Sequence, residues 1–279
     1  MSGTTKEATS KKPKSPFKDI EELKKEVTGF VNRYKASVIH KAERMSDFFE
    51  MSCFNRVVRF YERCGYQVTP AGLQKGLYKY KCSPAGIQSN FSFFKVTFKD
   101  GEETYVFEVQ HNLAVQSAHH PSIYTTPDIT IIREDSVRYT KEHYENKSTF
   151  SYVSQTDLVS FCEAKQFTPF PELLFNFMGI VNELSPAVLM DSTTAMTPTQ
   201  LAPTLMVSGK GGRHALAIKQ SLESRYCINI LFDLFYYGSI VFSKKYMDQL
   251  RRVGPLSAFK PKSSLPEKRT KEEAEAFFD

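Results

Sequence analysis

Between residues 17 and 44 the apolar positions Ile20, Leu23, Val27, Phe30, Val31, Tyr34 and Val38 recur at spacings of three and four. That is the period of one helix face, and it predicts an N-terminal helical extension over 17–45, as one helix or two. A second helical pattern covers 45–64, with Phe49, Phe54, Val57, Val58, Phe60 and Tyr61 on its apolar side. Ser46 or Asp47 stands where an N-cap belongs, and Gly65 where a helix stops. After Gly65 the period falls to two. Runs at 66–69, 77–82, 91–98 and 104–109 predict strands, and Asp100-Gly101 predicts a hairpin between the last two. Strands are expected again at 129–132 and 160–165. A helix begins near Glu172, with Leu173, Leu174, Phe177, Ile180, Val181 and Leu184 as its stripe. A polar crossover over 185–203 leads to a strand at Leu205-Met206-Val207. Then come a helix over 215–225, a hydrophobic strand or strand pair over 228–242, and a short basic helix over 246–252. Helices alternating with strands in this way predict an α/β fold.

The ends read differently. Residues 1–16 are rich in Lys, Ser, Thr and Pro and predict a disordered basic tail. Residues 254–279 predict a flexible C-terminal tail, with a last helical turn at 272–278. The expected main domain is 46–253.

Composition adds bounds. With 41% hydrophobic and 24% charged residues, the chain can build a substantial core. A net charge of +6 is compatible with nucleic acid, although part of it sits in the tails. Five cysteines, scattered and without CxxC pairing, predict reduced thiols. The polar start lacks the apolar centre of a signal peptide. The run over 228–242 is too short for a bilayer and contains Asp233. A cytoplasmic protein with no membrane partner is expected.

The candidate chemistry lies in 126–167. The segment opens with Pro127-Asp128-Ile129-Thr130-Ile131-Ile132 and closes with Ser160-Phe161-Cys162-Glu163-Ala164-Lys165-Gln166-Phe167. Alternation along a strand puts Glu163 and Lys165 on one side. If the two strands pair, Asp128 lies beside Glu163, and two carboxylates and an ammonium converge. Crowded carboxylates repel, and a hard divalent cation compensates them. Glu-x-Lys occurs three times, at Glu22, Glu145 and Glu163, but only the third sits in a strand-like run after the chain's Pro-Asp.

Pro-Asp, a strand, then Glu-x-Lys in the next strand and a helix after it resembles the PD-(D/E)xK nuclease superfamily, also called the restriction-endonuclease-like fold. The likeness covers roughly 46–242, and the helix ending in Gly65-Tyr66 is similar to that family's opening helix. One departure is the insertion over 133–156, longer than a tight hairpin needs. The resemblance implies an αβββαβ core with a central mixed sheet flanked by helices. It implies a metal-dependent endonuclease that hydrolyses phosphodiester bonds, DNA first among its substrates. Asp128 and Glu163 would hold Mg²⁺ or Mn²⁺ with the Ala164 carbonyl, while Lys165 orients the attacking water and stabilises the transition state. Gln166 would help positioning, and Glu50 would be the helical acid serving a second ion or its water shell, with Glu62 as the alternative. Restriction, phage (antiviral) defence, recombination and repair are the roles implied, alone, as a homo-oligomer or with a partner protein. The alternative is a non-catalytic nucleic-acid-binding or assembly subunit that keeps the fold. Deleting Asp128 should relieve repulsion and leave metal-free stability unchanged or slightly higher.

Two other stretches carry residue types that chemistry could use. Ser208-Gly209-Lys210-Gly211-Gly212-Arg213-His214 is not a phosphate-binding Walker A loop. It reads either as a flexible strand-to-helix connection or as a loop offering amides, Lys210 and Arg213 to phosphates. The adjacent His119-His120 pair has no Cys or carboxylate at a useful spacing, so zinc is not expected. His111-Asn112 does not provide an HNH motif.

Overall fold

The computed structural model describes residues 20–39, 44–190, 199–234 and 247–255. Helix α1 (Ile20–Asn32) buries Leu23, Val27, Phe30 and Val31 along one stripe, as its periodicity requires. The helix does not continue. Lys35 takes a φ of +57°, and Ser37–Ile39 form strand β1, which pairs in parallel with residues 77–79. The expectation of helix throughout 17–45 is therefore corrected: β-branched Val38 and Ile39 satisfy their backbone in a ladder. Helix α2 (Met45–Arg63) begins one residue before its expected caps, with Arg44 at the N-cap and no side-chain cap bond. Asp47 lies in the first turn and holds Arg44 at 2.8 Å. Gly65, with φ +89°, ends the helix as expected.

The remaining strands are β2 (Gln67–Ala71), β3 (Leu77–Lys79), β4 (Phe93–Asp100), β5 (Glu103–His111), β6 (Ala114–Gln116), β7 (Tyr124–Thr125), β8 (Ile129–Arg133), β9 (Val137–Thr140), β10 (Phe150–Val153), β11 (Leu158–Lys165), β12 (Thr199–Leu201), β13 (Thr204–Val207), β14 (Asn229–Leu231) and β15 (Arg252–Pro255). Seven form a central mixed sheet in the order β14-β13-β11-β8-β5-β4-β2. From β2 to β11 each neighbour is antiparallel, and β11, β13 and β14 run parallel. Parallel neighbours need a crossover, and helices α3 (Pro171–Leu184) and α4 (Arg213–Arg225) provide the two.

Helices cover both faces. On one, α1 and α2 bury Phe30, Phe54 and Val57 against Phe94, Phe107, Val109, Ile129 and Ile131. On the other, Leu174, Phe177 and Val181 of α3 and Leu222 of α4 pack on Ile132, Phe161, Leu205 and Ile230. Helix α1 shares the first core, so residues 20–32 are part of the main body. The chain is thus α/β, with a mixed sheet between helical layers.

The insertion over 133–156 does not separate β8 from β11. It supplies β9 and β10 to a second sheet with β6 and β7, leaving β8 and β11 paired directly. Arg252 belongs to β15, so a helix reaching 252 is ruled out, and the strand runs one residue past the expected 254 boundary. The tail over 1–16, most of the expected strand beyond Leu234, and the turn over 272–278 lie outside the described residues. Among the described residues no helix is long and apolar enough to cross a membrane, and all five cysteines are free.

His111, at the end of β5, is fully buried against Phe54 and Tyr80, with ring centroids 5.3 and 6.1 Å away. Neither ring nitrogen has a hydrogen-bond partner among the described residues. Burial, and then the charge of Lys81, pushes its pKa down to about 3. The unfolded chain therefore binds the imidazole proton near pH 6.5 while the folded chain refuses it. Stability from this group is complete above the unfolded pKa and is lost as pH falls below it. Between pH 7 and 4.5, urea unfolding should shift in favour of His111→Phe relative to the parent by roughly 2–3 kcal/mol. An unchanged difference would contradict the assignment.

Candidate active site

The site forms where β5 ends, β8 begins and β11 and β13 end. The β8–β11 ladder reaches Ile129 opposite Cys162. One residue further, the side chain of Asp128 replaces the backbone: its Oδ2 accepts the Ala164 N–H at 2.7 Å. The Asp128 carbonyl is itself held by the Asn112 N–H at 2.9 Å, so the carboxylate is fixed from both sides. Lys165 Nζ donates to Asp128 Oδ2 at 2.9 Å and to Glu163 Oε2 at 2.7 Å. Glu163 is only 4% exposed, whereas the Lys165 side chain remains 32% exposed. The structure thus brings Asp128, Glu163 and Lys165 into one cluster.

Electrostatics follow from that crowding. Burial first, then Asp128, raise the Glu163 carboxyl above the usual carboxylate range despite Lys165. For Lys165, burial alone would lower the ammonium, but Glu163 and Asp128 outweigh it and hold it above the ordinary lysine value. Glu50 of α2 feels the same field. Its burial, then Asp128, push it up to about 8, with Lys165 opposing. Glu62 instead points outward to Arg33 at 3.2 Å. Of the two candidate acids, Glu50 and Glu62, Glu50 is the one that feels the cluster. Gln166 follows β11, half-buried.

The donor set suits a small hard cation. Mg²⁺ is commonly held by one or two carboxylates plus waters, and Asp128, Glu163 and the Ala164 carbonyl supply oxygens of that kind. Burial and the neighbouring Asp128 both disfavour the charged form of Glu163, and added positive charge would offset them. Among the described residues no group of three or more His, Cys, Asp or Glu side chains is arranged as a metal site. His119 Nε2 lies 2.9 Å from the Asn182 carbonyl of α3, and His120 Nδ1 accepts the Ser122 N–H within its own loop.

The glycine-rich loop starts at the same strand ends. Val207 is the register partner of Lys165, the Ser208 N–H donates to the Lys165 carbonyl, and the Gly209 N–H to that of Phe167. Lys210 and Arg213 are both exposed here, and Arg213 opens α4. The start of this loop is closely packed, which corrects the reading of it as a flexible connection. A Cβ on Gly209 would lie 2.7 Å from the Phe167 carbonyl oxygen and 2.8 Å from Thr168 Cα. Both are backbone atoms, so Gly209→Ala should cost about 1–3 kcal/mol in urea unfolding. Stability equal to the parent would show that the loop yields freely.

Asp128 carries more of the structure than its sequence suggested. Its deletion orphans the buried Ala164 N–H and one Lys165 contact, so stability should fall, contrary to the expected relief of repulsion. The sequence reading also missed Asn112. With φ +50°, Asn112 turns the chain after β5, and its Nδ2 holds the Lys81 carbonyl at 2.8 Å. An Asn shortly after the strand expected over 104–109 was the available signal. No protein-family model, curated protein or solved structure matches this chain.

Proposed function

We propose that the chain is a Mg²⁺- or Mn²⁺-dependent phosphodiesterase with a PD-(D/E)xK centre that cuts nucleic acid, DNA first among its substrates. The observation that carries this reading is the Asp128–Lys165–Glu163 cluster at the ends of adjacent antiparallel strands. The element order supports it: α2 precedes the antiparallel strands, and α3 crosses from β11 to the parallel β13, which is compatible with an αβββαβ core.

A bound divalent ion would supply Lewis acidity, making a water more acidic and offsetting charge on the phosphate. Asp128 and Glu163 would provide the carboxylate oxygens to hold it, and the Ala164 peptide is fixed by its bond to Asp128. Lys165 stays protonated, so its Nζ serves as a positive donor toward the phosphate oxygens and not as a base. Its partial exposure leaves that donor accessible. Glu50 holds a proton near neutrality and ionises as positive charge joins the cluster, which suits it to a second ion or its water shell. Lys210 and Arg213 offer charge to the flanking backbone.

A second reading is a non-catalytic nucleic-acid-binding or assembly subunit. It is favoured by one feature: Lys165 already pairs with both acids, so the cluster is partly compensated without an ion. The hydrolase reading puts the protein in the cytoplasm, in restriction, phage defence, recombination or repair. Plasmid and oligonucleotide cleavage with and without Mg²⁺ or Mn²⁺ separates the two readings. Metal-dependent cutting supports hydrolysis. Tight, salt-sensitive binding without cutting supports the binding module.

A further inference from the structure

We infer that Phe167 and Phe170 form a stacking platform for an unpaired nucleobase beside the scissile phosphate. This inference rests on the phosphodiesterase reading and deepens it by naming the preferred substrate: nucleic acid unpaired next to the cut. Phe167 stands two residues after Lys165. It is 41% exposed, Phe170 is 45% exposed, and their ring centroids lie 5.7 Å apart at 31°. Large apolar rings usually go to the core, and the cores on both sides of the sheet are filled by other residues.

The backbone that carries the two rings is also tied down. The segment reads Phe167-Thr168-Pro169-Phe170-Pro171, and each proline fixes its own φ and restricts the residue before it. Phe170 is accordingly extended at φ −133° and ψ 160°, and its carbonyl accepts the Leu173 N–H in the first turn of α3. Gly209 presses on the backbone of Phe167 and Thr168 and donates to the Phe167 carbonyl. A backbone fixed before binding leaves only the ring torsions to be ordered on contact, as suits a recognition surface.

The surroundings select the occupant. The loop pinned against Phe167 carries exposed Lys210 and Arg213, and the carboxylate cluster lies on the strand leading into it. Aromatic faces beside cations match a base attached to a phosphate backbone. A base paired within a duplex keeps its faces covered by its stacked neighbours, so an unpaired base fits.

The test uses the full chain and oligonucleotides carrying 5-iodouracil, which on irradiation couples to an aromatic ring stacked against it. Affinities for single-stranded and duplex forms are measured without metal by anisotropy. Crosslinks at Phe167 or Phe170 are expected. Phe167→Ala/Phe170→Ala should bind the single strand about ten-fold more weakly, with duplex affinity nearly unchanged. Phe167→Trp should keep single-strand binding. Phe175→Ala, at a residue 56% exposed on α3, should have no effect. Unchanged single-strand affinity in the double variant, or crosslinks only elsewhere, overturns the platform. So does a change in sedimentation without a change in binding, which would assign the pair to a second copy of the chain. If the platform results hold but no nucleic acid is cut with any divalent ion, the phosphodiesterase reading fails and the base site stands. If the parent cuts and the double variant behaves like it, the platform alone fails.

Discussion

Lys165→Met is expected to lower the rate of Mg²⁺-dependent plasmid cleavage by about 10²–10³-fold, the usual cost of removing one preorganised donor at a developing charge. The loss should appear in single-turnover rate more than in affinity, since the charges proposed to hold the substrate backbone, Lys210 and Arg213, are untouched. The same change should destabilise the metal-free protein. Lys165 lies 2.9 and 2.7 Å from two buried carboxylates, and removing it leaves them facing each other. A fully buried pair broken this way costs several kcal/mol, but the partial exposure of Lys165 screens it, so about 1–3 kcal/mol is expected. The deficit depends on pH in a definite direction. Without its cation, the Glu163 carboxyl rises further above its unfolded value, and the folded variant binds more protons than the unfolded chain. Its stability therefore falls as pH rises. Urea midpoints should show a larger deficit at pH 9 than at pH 6, and the reverse trend would contradict the pairing.

Asp128→Ala should abolish measurable cleavage and destabilise the fold together. The activity loss, about 10³-fold or more, follows from removing a carboxylate that would hold the ion, which contributes several kcal/mol to the transition state. The stability loss follows from the orphaned Ala164 N–H and is about 1–3 kcal/mol. Asp128→Asn separates the two effects. Its Oδ1 still accepts the Ala164 N–H, so stability should return close to the parent's, while a neutral amide cannot replace the carboxylate and cleavage stays lost. If Asp128→Asn cuts at the parent's rate, the assignment of Asp128 to the chemistry is wrong.

Local signals accounted for much of the architecture. The stripe ending at Gly65 marked α2, Asp100-Gly101 marked the β4–β5 hairpin, and the stripe from Leu173 to Leu184 marked α3. Glu163 and Lys165 were readable as neighbours because a strand of known phase fixes their side. What escaped was non-local. Nothing near Val38 announces that its ladder partner is Tyr78. Nor do residues 137–153 show that they join Ala114–Gln116 in a second sheet, clearing the way for β8 to meet β11. Helical periodicity over 17–44 continued past Lys35 because apolar spacing does not register a residue about to adopt positive φ. At the site, the pairing of Asp128 with the Ala164 N–H could not be read in advance, because it depends on where the ladder stops. The choice between Glu50 and Glu62 needed the rotation of α2 against the sheet.

The central claim is that this cluster performs metal-dependent hydrolysis of phosphodiester bonds. The most direct test is the initial rate of plasmid nicking in saturating Mg²⁺ by the parent and by Glu163→Gln, measured side by side. Glu163→Gln is nearly isosteric and keeps an oxygen for Lys165, so any change reports the lost carboxylate charge and not a lost fold. The parent should nick the plasmid, stop when the ion is chelated, and exceed Glu163→Gln by about 10²-fold or more. Equal rates for the two proteins, or no nicking by the folded parent with Mg²⁺ or Mn²⁺, would contradict the account.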